Sequence, residues 1–596
     1  MTTRDTALIG NTALWRLKLL PNNPQRVLRS QRFYPVVPPG TTFSGVSYSI
    51  LDPGSVPITQ GVTSFPAQAK VGGSAKIPSI LYYDKEGTVR AVGSEAMEPA
   101  FIEQAEEEGF IKVSWFKLHL RPDSLQLDFD IPALPGNKTP VAVFSDFLRY
   151  LFECTKSYIQ RDTLGGHHWN SVEHNIDFIL AHPNGWEVSQ QGQMRRAAIM
   201  AGLVSEVESQ ERVHFVTEGE ASLHFCINRN IPFKKDEGVI IVDAGGGTVD
   251  LSGYRQTPSG FEEIVTSQCV GQGSVFVGRR AHKLRNSRFG SEEDVQQIAS
   301  IFDSDAKHTF RNPDDPVFIK FGTFRDRDPS VDIKAGQLKI PGNIVETFFE
   351  PSIKAIIQAV KEERKEATVP IGAVFLAGGF SANDWLFSRL KSELEPLGLT
   401  VSRPDAFLNK AVADGALSYY LDHFVSVRVA RFTYGTNCVR AYDPYDLEHM
   451  RRRATMITAP SGRKVIPNVF SAIVIKGEQV HEETEFKEPF FLESRVRAAY
   501  REISADIIVY RGKSSSPQWT DLEPRMFSTW GTVYADVSAA VKTAGVHAGR
   551  FYHQAEFQIV ILFGGPEIKA QISWQENYFF RSPATIVCEQ IPQLAK

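Results

Sequence analysis

The chain has 596 residues, 42% of them hydrophobic and 22% charged, with a formal net charge of −4. That length exceeds one hydrophobic core and implies two to four globular domains, while the absence of a basic excess argues against a nucleic-acid partner. Five scattered cysteines, Cys154, Cys226, Cys269, Cys438 and Cys588, form no CxxC pair. They point to a reducing compartment and a cytoplasmic protein, and no apolar run reaches the ~20 residues of a membrane span.

Residues 1–34 carry Arg4, Arg16, Lys18, Arg26, Arg29 and Arg32 against one acid, Asp5. Pro21-Asn22-Asn23-Pro24 would break a helix there, so the stretch reads as a poorly ordered tail, with a transit peptide or a misplaced gene start as alternatives. Folded structure is expected from about Tyr34. Val36-Val37-Pro38-Pro39 leads into Gly40-Thr41-Thr42 and a second strand-like run to Ser49. Ile77–Tyr83 reads as a strand. Lys117, set in Ser114-Trp115-Phe116-Lys117-Leu118, is either a snorkelling surface lysine or a cation reaching into a cleft.

Val141–Ile159 has helical apolar spacing, and Ile176–His182 is a strand stopped by Pro183. Val213–Val216 is a short strand that delivers Glu218 to the start of a helix. There it is either a ligand-binding group or a solvated carboxylate favoured by the helix dipole.

The most informative stretch runs from Gly238 to Ser252. A β-branched run ends on Asp243, turns through Gly245-Gly246-Gly247-Thr248, and resumes at Val249-Asp250-Leu251. Continuous apolar character predicts a strand buried on both faces. The glycines leave backbone N–H groups free to converge on an anion, and the two aspartates suit a phosphate with Mg²⁺. The alternative is a glycine hairpin with two solvated carboxylates. Setting Gly40 against Gly245 aligns the earlier hairpin with this one and puts Pro38 where Asp243 stands, which suggests a duplicated α/β architecture gripping a polyphosphate from both sides.

Gly273-Ser274 opens a helical region whose Arg279, Arg280, Lys283 and Arg285 read as a solvated face. Lys307 lies on a second helix, and Lys361–Glu366 reads as an exposed helix end. A third turn, Gly378-Gly379-Phe380-Ser381, follows an apolar strand, with Ser381 and Asp384 resembling a capping box. A strand, a Gly-Gly turn and a helix N-terminus make a site for an anion or a flat ligand. Ala411–Leu417 is a short helix of small residues. Phe424–Lys596 reads as a separate, mostly β region, in which Phe557–Phe563 and Glu567–Trp574 would pair.

In this order the motifs resemble the ATPase domain of the heat-shock-70 chaperones, within the actin, hexokinase and heat-shock-70 superfamily. The resemblance covers roughly 35–421 and implies a duplicated actin-like, ribonuclease-H-like fold whose lobes, about 35–237 and 238–421, enclose ATP or ADP with Mg²⁺. It implies that Gly40, Thr41 and Thr42 form the first phosphate loop, and Gly245, Gly246, Gly247 and Thr248 the second. By the same resemblance Gly273, Lys307, Gly378, Gly379 and Ser381 belong with the nucleotide, Lys117 and Glu218 act in hydrolysis, and Asp243 and Asp250 hold the metal, through water. Three departures stand out: Pro38 replaces the acid that opens the first loop, Asn409 stands where an acid is usual near the ribose, and no linker or peptide-binding module is recognisable after Leu421. This resembles the divergent, member-12-type branch of heat-shock-70-like proteins, expanded in fungi. The implied function is slow ATP hydrolysis coupled to lobe closure, with a protein client or co-chaperone bound through 422–596. A nucleotide-binding scaffold that has lost hydrolysis, and less readily a small-molecule kinase of the same fold, are the alternatives.

Overall fold

The computed structural model describes residues 32–581 apart from 52–56, 69–74, 162–168, 171, 229–236, 259, 282–291, 405–409, 423–424, 482–483, 564–566 and 577–578. The chain divides into two compact units, residues 1–185 with 193–426 and residues 186–192 with 427–596. No sequence pattern singles out the short segment Trp186–Gly192 as part of the second.

In the first unit, β1 (Arg32–Val37), β2 (Ser47–Leu51), β3 (Gln60–Gly61), β4 (Phe178–His182) and β5 (Val213–Thr217) form a sheet in the order β5-β4-β1-β2-β3. The strand begins at Arg32, ahead of the expected Tyr34, and Arg32 is tied to Asp177 at 2.9 Å. A second sheet uses β6 (Gly238–Ala244), β7 (Val249–Thr257), β8 (Gly260–Glu263), β9 (Ile371–Ala377) and β10 (Thr400–Ser402), in the order β10-β9-β6-β7-β8. The two sheets share one plan. In each, a central strand (β1 or β6) pairs in parallel with β4 or β9 on one side and antiparallel with β2 or β7 on the other.

Helices cover these sheets: α1 (Pro140–Arg161), α2 (Glu218–Asn228), α3 (Ser274–Ala281), α4 (Gly342–Glu366), α5 (Asp384–Leu394) and α6 (Ala411–Asp422). Strand alternation decides which residues meet which layer. Ile240, Val242 and Ala244 of β6 join Val249 and Leu251 in a core with α4 and α5, while Val239 and Ile241 meet Leu223 and Cys226 of α2. Through Ala221 the same helix also joins the core of the first sheet, with Tyr34, Val36, Ile179 and Val216. Close approach of α6 to α2 needs Gly415, where a β-carbon would lie 1.8 Å from the Ala221 carbonyl oxygen.

Two charge readings change on folding. Arg280 is not on a solvated face: it donates to the Phe348 carbonyl at 2.8 Å and to Ser352 Oγ at 3.2 Å, because α3 packs on α4. Glu363, in the supposedly exposed end of α4, is fully buried, since that turn lies under β7 beside Gly253. Lys283 and Arg285 lie outside the described residues. Ile77–Tyr83 divides into Ile77–Pro78, which pairs with Phe43–Ser44, and Ile80–Tyr83 in another small sheet.

In the second unit, β11 (Thr433–Ala441), β12 (Lys464–Val474), β13 (Glu485–Ser494), β14 (Ile503–Tyr510), β15 (Phe527–Ala535), β16 (Arg550–Leu562) and β17 (Lys569–Glu576) form two antiparallel sheets, β12-β11-β14-β15 and β13-β16-β17. Tyr434, Val509 and Trp530 from one and Ile559 and Ile572 from the other share a core. Gln558–Leu562 pair with Lys569–Ser573. Among the described residues no helix is long and apolar enough to cross a membrane.

Candidate functional site

A cavity of about 550 Å³ opens in the first unit, lined by all three glycine turns together with Lys117, Glu218, Asp243 and Lys307. The β6–β7 ladder closes at Ala244 opposite Val249, and Gly245 N–H donates to the Thr248 carbonyl at 2.9 Å. The carbonyls of Gly245, Gly246 and Gly247 accept from the N–H groups of Ser274, Val275 and Gly273 at 3.1, 3.0 and 3.3 Å. A trans peptide points its N–H opposite its C=O. Tying back three successive carbonyls therefore turns the N–H groups of Gly246, Gly247 and Thr248 to the other side of the loop, the arrangement that suits an anion. Gly273 sits behind this loop and does not line the cavity; a β-carbon there would lie 2.4 Å from the Gly246 oxygen.

The first turn is fixed by Gly40 N–H donating to Ser44 Oγ at 3.0 Å, and Ser44 is tied to Ser79 at 2.8 Å. The two turns meet directly. A β-carbon at Gly246 would fall 2.5 Å from the Thr42 hydroxyl oxygen, and one at Gly247 2.6 Å from that of Thr41. Pro38 lines the cavity at the end of β1.

Asp243 and Asp250 are register partners across β6 and β7, so their side chains share one face, the face toward α2. Both are buried. Ser222 Oγ donates to Asp243 at 2.8 Å; Asp250 accepts from Asn184 N–H at 2.6 Å and Thr248 Oγ1 at 2.9 Å. Asp243 lines the cavity, whereas Asp250 stands behind it with both oxygens engaged. Burial, then the charge of Glu218, holds both carboxyls well above the ordinary carboxylate range, and the charge of Asp243 raises Asp250 further. Among the described residues no cluster of three or more His, Cys, Asp or Glu side chains is spaced to cage a metal. The donor set instead suits a cation that keeps most of its water and takes further ligands from a phosphate. Asp243 would face it, and the surplus of buried negative charge would favour it.

Lys117 is not a snorkelling surface lysine but lines the cavity. It is buried in the 3₁₀ turn Phe116–Leu120 and ion-paired with Glu218, the first residue of α2. Trp115, which precedes that turn, is held at φ 55°, a left-handed conformation costing a bulky residue about 1–3 kcal/mol. Lys307 follows a π-helical turn, Phe302–Ala306, and its ammonium donates to Asp303 at 2.7 Å. Gly378 and Gly379 line the cavity; Gly378, at φ 81°, lets its turn approach β6, since a β-carbon would lie 2.2 Å from Asp243 Oδ1. Ser381 is buried and donates back to the Ala377 carbonyl, away from the cavity lining. It does not cap α5. A 3₁₀ turn, Phe380–Ala382, intervenes, and Asn383 is the cap, accepting from Leu386 N–H at 2.8 Å. Asn409 lies outside the described residues.

Three site residues escape sequence reasoning. Asn184 joins the end of β4 to β7 and α2 through Asp250, the Leu251 carbonyl and Gly219 N–H. Ser222 holds Asp243 from one turn into α2. Lys76 lines the cavity beside the first turn. Only Asn184 carried a signal, a Pro183-Asn184-Gly185 turn after a strand.

No protein-family model matches the chain. Heat shock 70 kDa protein 12A of Homo sapiens is 24% identical over 413 residues, 55% of this chain and 60% of that protein. Heat shock 70 kDa protein 12A of Mus musculus is 23% identical over 517 residues, 71% of this chain and 74% of that protein. The chain thus spans under two thirds of the human relative's length. Together with the mixed α/β architecture, this similarity is consistent with a relationship within the heat-shock-70 superfamily.

Proposed function

We propose that the first unit is an actin-like, ribonuclease-H-like ATP-binding domain of heat-shock-70 type that binds ATP and hydrolyses it slowly. The observation that carries this reading is the meeting of two strand–turn–strand hairpins of identical topology. Their glycine and threonine turns touch, and one presents three backbone N–H groups on the side away from the α3 backbone. Backbone donors of this kind neutralise phosphate oxygens without side-chain entropy. Lys117, released from Glu218, would stabilise charge on the terminal phosphoryl group, and Glu218 would then be free to orient water for in-line attack. Bound Mg²⁺, held through water by Asp243, would supply charge neutralisation at the phosphates. Lys307, Gly378 and Gly379 would flank the nucleoside. The β-rich unit would bind a protein client or co-chaperone.

A second reading, a nucleotide-binding scaffold without hydrolysis, is favoured by Pro38, which ends β1 without the carboxylate that Asp243 supplies to β6. Loss of one preorganised electrostatic group costs about 10²–10³ in rate. Calorimetric titration with ATP and single-turnover hydrolysis, on the full chain and on Asp243→Ala, test both. Binding with turnover that Asp243→Ala abolishes supports the ATPase. Binding without turnover supports the scaffold. No binding of ATP refutes the site.

A further inference from the structure

Lys76 occupies a place that the duplicated topology leaves asymmetric. The residue lies next to Ile77, which pairs with Ser44, and Ser44 accepts the Gly40 N–H that shapes the first turn. Lys76 is therefore anchored to that turn by the backbone on one side and by its stem on the other, since a β-carbon at Gly45 would lie 3.0 Å from Lys76 Cγ. Its side chain lines the same cavity as Lys117, Asp243 and Gly245–Thr248, and it interacts electrostatically with Asp243 and Glu218. The second hairpin instead carries a carboxylate, Asp243, near the end of its central strand. The first hairpin has thus exchanged a strand-end carboxylate for Pro38 and set a lysine beside its turn. Relative to a site with an aspartate on both strands, two units of charge separate the arrangements, both in the direction that favours a polyanion.

We propose that Lys76 is a second cationic ligand for the polyphosphate, sharing the charge neutralisation that a divalent cation supplies at such sites, so that this chain holds ATP with only weak dependence on Mg²⁺. The inference rests on the nucleotide reading above and adds to it a residue and a metal response. With Pro38 in place, the cation has fewer protein anions to bridge. With Lys76 in place, the phosphates have a fixed counter-charge even without it. A charge-assisted contact of this kind corresponds to about tenfold or more in affinity.

The test is calorimetric titration of the full chain with ATP in Mg²⁺ and in EDTA, for wild type, Lys76→Gln and Lys76→Arg, with thermal melts to establish folding. Wild type is expected to lose less than about tenfold in affinity on removal of Mg²⁺. Lys76→Gln should lose a further tenfold or more in EDTA but much less in Mg²⁺, and Lys76→Arg should restore EDTA binding. Lys76→Gln binding as tightly as wild type in EDTA, or wild-type binding that collapses about 100-fold without Mg²⁺, overturns the proposal and leaves the nucleotide site standing. Absence of ATP binding by wild type in either buffer overturns the nucleotide reading itself.

Discussion

Replacing Asp243 with Asn should make the empty protein more stable and the liganded one weaker. Asp243 and Asp250 are paired across β6 and β7, and both are buried. Directly opposed residues of an antiparallel pair hold their β-carbons about 5 Å apart. Two carboxylates at that separation repel by about 3 kcal/mol at an effective dielectric constant of about 20. Asparagine keeps the acceptor for Ser222 Oγ and removes the charge, so the expected gain at pH 8 is about 1–3 kcal/mol, a rise of about 2–4 °C in unfolding temperature.

The pH dependence fixes the cause. Both carboxyls are held above their ordinary range, so the folded protein keeps protons that the unfolded chain has already released. Their contribution is intact below about pH 4 and is lost as pH rises through the folded values. The advantage of Asp243→Asn should therefore be small at pH 5 and large at pH 8. Differential scanning fluorimetry in EDTA without nucleotide, at both pH values, measures it. An Asn variant that is less stable at pH 8, or a gain of equal size at both, refutes the repulsion argument. ATP with Mg²⁺ should reverse the ranking, because bound cation stabilises only the pair that carries charge.

Gly246→Ala should weaken ATP binding at least tenfold by titration while the protein still folds, because its methyl group would separate the two turns where Thr42 Oγ1 lies 2.5 Å away. Glu363→Gln should stabilise the first unit by about 1–3 kcal/mol. Burial, then the charge of Glu263, raises the Glu363 carboxyl well above its ordinary 4.5, so the gain should widen as pH rises above that value in thermal melts. Asn383→Ala should cost about 1 kcal/mol through the lost cap of α5. It should also weaken binding of adenosine nucleotides, since Asn383 Nδ2 donates to the Lys307 carbonyl at 2.7 Å.

What the sequence made legible was local. An apolar run that ends on a turn residue is readable because strand burial and glycine permissiveness act within a few positions. Gly238–Ala244 and Ile371–Ala377 are accordingly strands that end just before their turns. Contacts made across the fold were not legible. Glu363 has the charged neighbours of a solvated helix end, yet α4 is long enough to carry that turn beneath β7. Ser381 has the spacing of a capping box, but a 3₁₀ turn shifts the cap to Asn383. Lys117 could not be assigned from apolar neighbours alone, since the carboxylate that holds it lies 101 residues away in sequence.

Pro38 shows how the charge of the whole site bears on one position. In isolation it is a lost ligand. The site, however, already gathers Asp243 and Glu218 in the cavity wall with Asp250 behind it, and both aspartate carboxyls are held toward their neutral forms by burial and by the charge of Glu218. A further carboxylate at the end of β1 would add to that repulsion in every state without a bound cation. Proline removes the charge and also fixes φ where β1 enters its turn. A lysine on the adjoining segment then sets the charge of the first hairpin opposite to that of the second. The asymmetry lowers the electrostatic cost of gathering these carboxylates, and on the proposal made for Lys76 it would transfer part of the task of holding an anion from a cation to the protein itself.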